Sequence, residues 1–551
     1  MRAWVLAAIV VGIGCSGKTE QTPPVPSPSP LPVVPEPPPV VVPDFPEGTR
    51  SLELRRTVGV RIEPGDDAKR IGTVAIDTRV AWVQTQKARG CDRPWIEIRP
   101  RGWICGDYVE PSRKPASGQE VPHLDRGELV PGVYGKVTAP SSVTYVLEKP
   151  EKDKPGKGKK QPGKKDGKAE RRDGRREGRE APKKAEVQKD SQARDPARDQ
   201  ARDNETRRDA RDRKDARRPE DHKRSADGDD DARPSGPPAP PKMPKMIEDR
   251  PLVGSVNVRQ YEEITVGGRQ YWKIDKKENE YVLKQAITQH HPSLFGGVRL
   301  GDDTGWAVPV AFVWPRYGGQ LAFTTNTATG GGVNRQVAAR TPLQLLDTQA
   351  DKAGKPTAYR IGPTEWIAAA DVRVFQPLPP PPMLEPGERW IDVDLDDQIL
   401  VAYEGELPVY ATLVSSGGGT TPTETGVYRM WLKESEADMK GLNGEDPYSV
   451  ATVPWTQFFS PEKGLALHTA YWHDQFGTRR SHGCVNLAPR DARWLYFWSD
   501  PQVPPGWTMA AGLVEAPGSI VRIRSKDDPA PEAKGYAKKV LEARMQNAPL
   551  R

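Results

Sequence analysis

Apolar and polar positions alternate with a period close to two through much of the chain, which is the spacing of strands with one face buried. Residues 50–112 carry it in "TVGVRI", "TVAIDTRVAWV" and "PWIEIRP" and end in "RGWICGDYVEPS", which predicts short strands and tight turns in a small barrel. The same signals recur in pieces. "GVYGKVTAPSSVTYVLEK" stops near Lys149, "VNVRQYEEITVGGRQYWKIDKKENEYVLKQAI" resumes near Val256, and a third run closes near Phe375. From Arg389, "RWIDVDLDDQILVAYEGELPVYATLVSSGGGTTPTETGVYRMWLKE" predicts several more strands broken by glycine and threonine turns. Periodicity then changes. After "NLAPRDA" the apolar positions Ala492, Leu495, Tyr496 and Trp498 share one side of a helix, and "SIVRIRS" closes with a strand. The expected fold class is mainly β: a β-sandwich-like last domain with one short helix, preceded by small β-barrel modules and linkers.

Composition separates these elements into domains. With 551 residues, 58 prolines and 51 glycines, the chain exceeds one ordinary domain and devotes much of its length to linkers. Thr22 to Gly48 is proline-dense enough for a polyproline II spacer of about 70 to 80 Å. Residues 150–246 consist almost wholly of Lys, Arg, Asp, Glu, Gly, Pro and Ala and lack the apolar side chains that offset the entropy of ordering, so disorder is expected there. The tract reads either as a solvated insertion in a surface loop or as an electrostatic tether to anionic wall polymers. The expected division is 1–15 signal segment, 16–48 spacer, 49–113 first barrel, 121–149 with 247–292 a second barrel split by the insertion 150–246, 293–376 a third barrel or accessory β region, 377–386 a proline linker, 387–526 the last domain and 527–551 a tail. A formal charge of +7 from 82 basic and 75 acidic residues is a mixed balance, which argues against a nucleic-acid partner.

The N-terminus changes the chemistry expected of the cysteines. "MRAWVLAAIVVGIGCSGK" has one Arg, then an apolar run from Ala3 to Ile13 too short to span a bilayer, and reads as an export signal. "GIGC" resembles a lipobox, which implies a lipid on Cys15 and a membrane anchor; cleavage nearby without lipid is the alternative. Either way the chain would work in the cell envelope, exported and periplasmic, where disulfides persist. Ser16 after Cys15 favours the outer membrane, by resemblance to lipoproteins. Cys91 and Cys105 are close enough in sequence to bridge two strands of one small domain. Cys484 is then alone, and an unpaired thiol in an oxidising compartment is either buried or used.

Cys484 lies in "SHGCVNL". A thiol of ordinary pKa, about 8.5, needs a base or positive surroundings to become a thiolate. His482 is two residues away, on the same face if the segment is extended, and His468 precedes it on what reads as a neighbouring strand. Gly483 would let backbone N–H groups approach a developing oxyanion. A zinc site is the rival reading; it would draw on His468, His473, His482 and Cys484, which lack a recognisable paired spacing.

"SHGCVN", with His468 in "LALHTAYWHDQFG" and with "WIDVDLDDQILVAYE" and "TPTETGVYRM" upstream, resembles the YkuD-type L,D-transpeptidase catalytic domain over Arg389 to Arg524. The closing strands of residues 50–112 resemble bacterial SH3-like domains. The YkuD resemblance implies that Cys484 is the nucleophile, that His468 is its base, and that the Thr469 carbonyl orients the imidazole. It further implies that His482 and Gly483 shape the oxyanion pocket with the Cys484 amide and that Ser481 braces the turn. Tyr448, Trp472 and Arg480 are candidate substrate contacts, with a purely structural role standing equally for each. The implied reaction joins peptidoglycan stem peptides: a tetrapeptide donor acylates the cysteine and an acceptor amine resolves the thioester, with no metal or cofactor. Water as acceptor would make the same site an L,D-carboxypeptidase, and a wall-binding lipoprotein with an inactive domain is the alternative from another class.

Overall fold

The structure is a computed structural model that describes residues 45–139, 141–148, 244–441 and 447–547. Cys15, nearly all of the proline-rich spacer and nearly all of the charged tract lie outside the described residues. Among the described residues no helix is long and apolar enough to cross a membrane.

The architecture is mostly β. Its centre is a six-stranded sheet in the order Val298–Arg299, Leu407–Leu413, Ile399–Glu404, Arg389–Asp394, Ile520–Arg524 and Gly426–Arg429. Its central strands are buried almost continuously instead of alternately, because the sheet lies between two cores. Ile391, Val393, Leu400 and Ala402 face one core. Trp390, Ile399, Val401 and Tyr403 face the other. A sheet covered on both faces has no solvent side to fill with polar residues. The one charge in its middle, Asp392, is matched by Arg522 Nε at 2.5 Å and Arg524 Nε at 2.9 Å from the adjacent strand.

A second, larger sheet runs through residues 387–526 into the segments on either side of it in the fold. On one side Arg70–Val74 pairs antiparallel with Trp507–Ala511, placing Gly72 opposite Ala510. A Cβ on Gly72 would lie 2.0 Å from the Trp507 ring, so only glycine allows this approach. Leu52, Val60 and Ile104 share one core with Tyr428, Leu487 and Trp507. On the other side, Ser255–Gln260 pairs in parallel with the start of Tyr448–Ser460, Ser255 opposite Tyr448. Val143–Glu148 and Lys245–Pro251 pair antiparallel, Glu148 opposite Lys245. Cys91 and Cys105 are joined by a disulfide, with S–S 2.05 Å.

The helix expected after "NLAPRDA" spans Pro489–Trp498, with proline at its start and Ala492, Leu495 and Tyr496 buried. Two segments differ from expectation. Residues 377–386, expected as a linker, pack on the sheet: Met383 and Leu384 join its core and the Pro379 carbonyl accepts Arg522 Nη1 at 3.0 Å. Within the expected tail, Gly535–Asn547 is a helix that buries Ala537 and Val540 and binds Glu388 through Arg544 at 2.7 Å.

Asp491, in the first turn of Pro489–Trp498, ties a distant segment to the sheet. Its carboxyl accepts the Tyr410 hydroxyl at 2.7 Å, the Thr412 hydroxyl and the Gly297 N–H at 2.8 Å, all inside the protein. Burial pushes its pKa up to about 6. Asp491→Ala leaves these donors without an acceptor and is expected to cost about 2–4 kcal/mol of stability. Urea unfolding of the two proteins checks this, and equal midpoints would mean that the carboxyl contributes nothing.

Candidate active site

Three consecutive strands build the site. Tyr448–Ser460 pairs antiparallel with Leu465–Thr469, Gln457 opposite Leu467. Leu465–Thr469 in turn pairs in parallel with Val485–Leu487, which puts His468 opposite Asn486. Every residue of these last two strands is buried, so the register is held by packing on both faces. Cys484 immediately precedes Val485 and is partly exposed at the floor of a cavity of about 210 Å³ that His468 also lines.

The turn ahead of Cys484 is not extended. Residues 482–484 form bends, Gly483 has φ +121°, and a Cβ there would approach Leu465 at 3.0 Å. The expectation that His482 and Cys484 share a strand face therefore fails. His482 is exposed, and its ring stacks on Tyr448 with centroids 4.5 Å apart. Ser481 braces the turn: its hydroxyl donates to the Cys484 carbonyl and accepts the Gly483 N–H at 3.1 Å. That N–H is thereby occupied, so Gly483 contributes its backbone conformation and not an oxyanion donor. A second loop clamps the motif from behind. Ser481 N–H donates to the Ser416 carbonyl at 3.0 Å, and Thr423 Oγ1 donates to the Gly483 carbonyl and accepts Gly417 N–H, each at 2.8 Å. Thr423 belongs to "TPTETG", which gives that stretch its role.

His468 is 2% exposed, and its Nδ1 lies 3.0 Å from the Thr469 carbonyl. A carbonyl only accepts, so Nδ1 carries the proton and Nε2 is left free to take one. Trp472 lies beside the imidazole, with ring centroids 5.9 Å apart. Arg480 is exposed at the rim of the same cavity. Among the described residues, the side chains gathered closely enough to hold a metal are Cys91, Cys105 and Asp107, and both of those cysteines are in the disulfide.

Residues 388–523 match the model of the YkuD family, described as the L,D-transpeptidase catalytic domain. This part of the chain is a YkuD domain. L,D-transpeptidase 2 of Mycobacterium tuberculosis is 31% identical over 105 residues, 18% of this chain and 25% of that protein. The chain thus matches about a quarter of the length of that curated relative. Among solved structures, the catalytic domain of the E. faecium L,D-transpeptidase is 27% identical with TM-score 0.20, covering 25% of this chain and 98% of that one. An L,D-transpeptidase from Mycobacterium smegmatis is 19% identical with TM-score 0.21, covering 29% of this chain and 72% of that one.

Electrostatics set the resting state of the YkuD site. Burial pushes the Cys484 thiol up to about 11, against a smaller opposing pull from the Ala466 N–H. Burial also holds His468 down to about 4, against the Thr469 carbonyl. At neutral pH both groups are uncharged, which differs from a preformed thiolate–imidazolium pair.

Sequence reading missed a second polar link. Asn486 Nδ2 lies 2.9 Å from His473 Nε2 while the buried Asn486 Oδ1 has no partner, and His473 Nδ1 accepts the Gln475 N–H at 3.2 Å. A neutral imidazole that accepts at Nδ1 must donate at Nε2. Exchanging the Asn486 amide atoms satisfies both groups, with His473 Nε2–H donating to Oδ1. His473, considered by sequence only as a metal ligand, thus orients the residue paired with His468.

Because the thiol is shifted upward, its reactive thiolate should accumulate only as pH rises towards about 11. Alkylation of the unliganded protein by iodoacetamide, followed at Cys484 by mass spectrometry, should accelerate continuously from pH 8 to 11. A rate plateau reached by pH 7 would instead reveal an ion pair.

Proposed function

We propose that this chain is a cysteine-dependent L,D-transpeptidase that acts on peptidoglycan stem peptides through a thioester on Cys484. The supporting observation is the placement of Cys484 and of a tautomer-fixed His468 in one cavity, His468 on a strand that pairs in parallel with the strand Cys484 immediately precedes. In this reading the Cys484 sulfur attacks the carbonyl of the L-centre at position three of a tetrapeptide stem while His468 Nε2 takes the thiol proton. The Cys484 amide is the oxyanion donor, since Ser481 occupies that of Gly483. Collapse breaks the bond to the terminal D-Ala, whose amine takes the proton from His468. An acceptor amine then attacks the thioester, passes a proton to His468 and restores the thiol, forming a 3-3 crosslink or attaching a protein to the wall.

Because both catalytic groups rest neutral, proton transfer accompanies attack and no buried charge precedes substrate. Tyr448, Trp472 and Arg480 line the cavity and are the proposed substrate contacts within the YkuD domain. The exported location and the lipid anchor on Cys15 are parts of the same proposal, as is SH3-like wall binding by the modules before residue 377.

Incubation of the full chain with a disaccharide tetrapeptide should give an adduct on Cys484 lighter than the donor by D-Ala, together with crosslinked dimers. Cys484→Ala should give neither. Tripeptide without dimers would reassign the activity to an L,D-carboxypeptidase, and no reaction with the wild-type protein would overturn the proposal.

A further inference from the structure

The catalytic cavity is not made by the YkuD domain alone. Lys136, Ser255, Asn257 and His290 line it together with His468 and Cys484, and all four lie outside residues 388–523. They reach it because Ser255–Gln260 pairs in parallel with the start of Tyr448–Ser460, and because Val133–Val137 pairs with both Ser255–Gln260 and Ile287–Gln289. The arrangement is anchored where Tyr134 stacks on Tyr471 of the catalytic loop, with centroids 4.0 Å apart.

We propose that Lys136, with Asn257 held by His290, forms a carboxylate-binding wall of the Cys484 cavity. The proposal rests on the transpeptidase reading above and names what this wall recognises. Three observations carry it. Among the described residues no acidic side chain lines the cavity, whereas Lys136 and Arg480 both do. Among the described residues neither cation has a carboxylate partner, although on the same module Lys284 pairs with Glu263 and Arg259 with Glu436. Finally, Asn257 is only 5% exposed; its Oδ1 lies 2.7 Å from His290 Nε2, and its amide nitrogen makes no hydrogen bond among the described residues.

An amide donor without a protein partner at the edge of a polar cavity is satisfied by a ligand or water that accepts from it. With Asn257 Oδ1 accepting, His290 Nε2 must carry its proton. Burial and the nearby Lys136 charge keep that imidazole neutral, down to about 4, and in this tautomer the Asn257 N–H groups are the free donors. One ammonium beside two amide N–H donors, with no competing acid among the described residues, matches a carboxylate. A donor stem offers that chemistry in two places: the C-terminal carboxylate of the leaving residue and the side-chain carboxylates upstream of the scissile bond.

The test compares acylation of the full chain and of Lys136→Met by three tetrapeptides: the free acid, one with its C-terminal carboxylate amidated, and one with its side-chain carboxylates amidated. Loss of a charge-assisted hydrogen bond of about 1.5–3 kcal/mol predicts a 10- to 100-fold rise in the half-saturating concentration of the free acid. Lys136→Met should have no effect on whichever amidated donor has lost the group that Lys136 binds, which identifies the source. Lys136→Arg should restore most of the affinity, and equal thermal midpoints exclude a folding defect. Binding of the free acid to Cys484→Ala with and without Lys136→Met, by calorimetry, reads the same contrast without chemistry. If the wild-type protein acylates but Lys136→Met lowers affinity for all three donors equally, or for none, the wall proposal is wrong while the transpeptidase reading stands. If the wild-type protein neither binds nor reacts with any donor, both fall.

Discussion

The site depends on one register, the parallel pairing that sets His468 opposite Asn486 and leaves Cys484 at the open end of the same ladder. A shift of one residue would turn His468 out of the cavity and send an apolar neighbour into it, because side chains alternate faces along a strand. Burial of all eight residues in the two strands makes that shift costly. The remaining polar contacts refine the register. Thr469 fixes the tautomer of His468, Ser481 closes the turn, and Thr423 and Ser416 hold the turn against the sheet.

The catalytic loop between these strands is gripped from outside the YkuD domain. Arg340 binds both carboxylate oxygens of Asp474, at 2.7 and 2.8 Å, and Ser293 donates to the same carboxylate. Arg373, stacked over Trp314 at 3.8 Å, donates to the Gly477 carbonyl at 2.6 Å. Gly477 sits so close to Trp314 that a Cβ would fall 2.2 Å from the ring. These contacts order a loop that, with neighbouring glycine and polar residues, would otherwise lose considerable entropy on adopting one conformation. Residues outside 388–523 therefore order the loop that carries Trp472 and Arg480 and also line the cavity.

Local spacing made a good part of this legible in the sequence. The mainly β class followed from period-two alternation, the helix Pro489–Trp498 from its apolar stripe, and the candidate pair of His468 and Cys484, which line one cavity, from "SHGCVN" and the strand before it. What escaped lies between segments far apart in the chain. Nothing near Lys136 or Asn257 signals that a parallel strand pair will carry them to Cys484. The link between His473 and Asn486 requires a loop to fold back on a strand, and a residue read as a ligand becomes an orienting group. The turn at Gly483 defeated the period-two rule because a positive φ breaks alternation at the position where it was applied. Proline-rich residues 377–386 carry the same pattern whether extended through solvent or laid on a core. The helix Gly535–Asn547 buries so few apolar side chains that its stripe resembles a charged tail.

The neutral resting state and the cationic cavity are complementary. A preformed thiolate beside Lys136 and Arg480 would be attracted to those cations and would compete with an anionic substrate for them. A neutral thiol does neither. It also reacts slowly with oxidants, which act on thiolates, so an unpaired cysteine can persist in the oxidising compartment proposed for this chain. The cost is a larger barrier to activation, since the proton must leave sulfur as the bond to carbon forms. In the proposed reaction, substrate binding would offset that cost by positioning, because a stem held by its carboxylate would present its carbonyl to sulfur at a fixed distance and exclude the water that would solvate either partner. In the proposed reaction, binding free energy gained at the wall of Lys136, Asn257 and His290 would be expressed at Cys484.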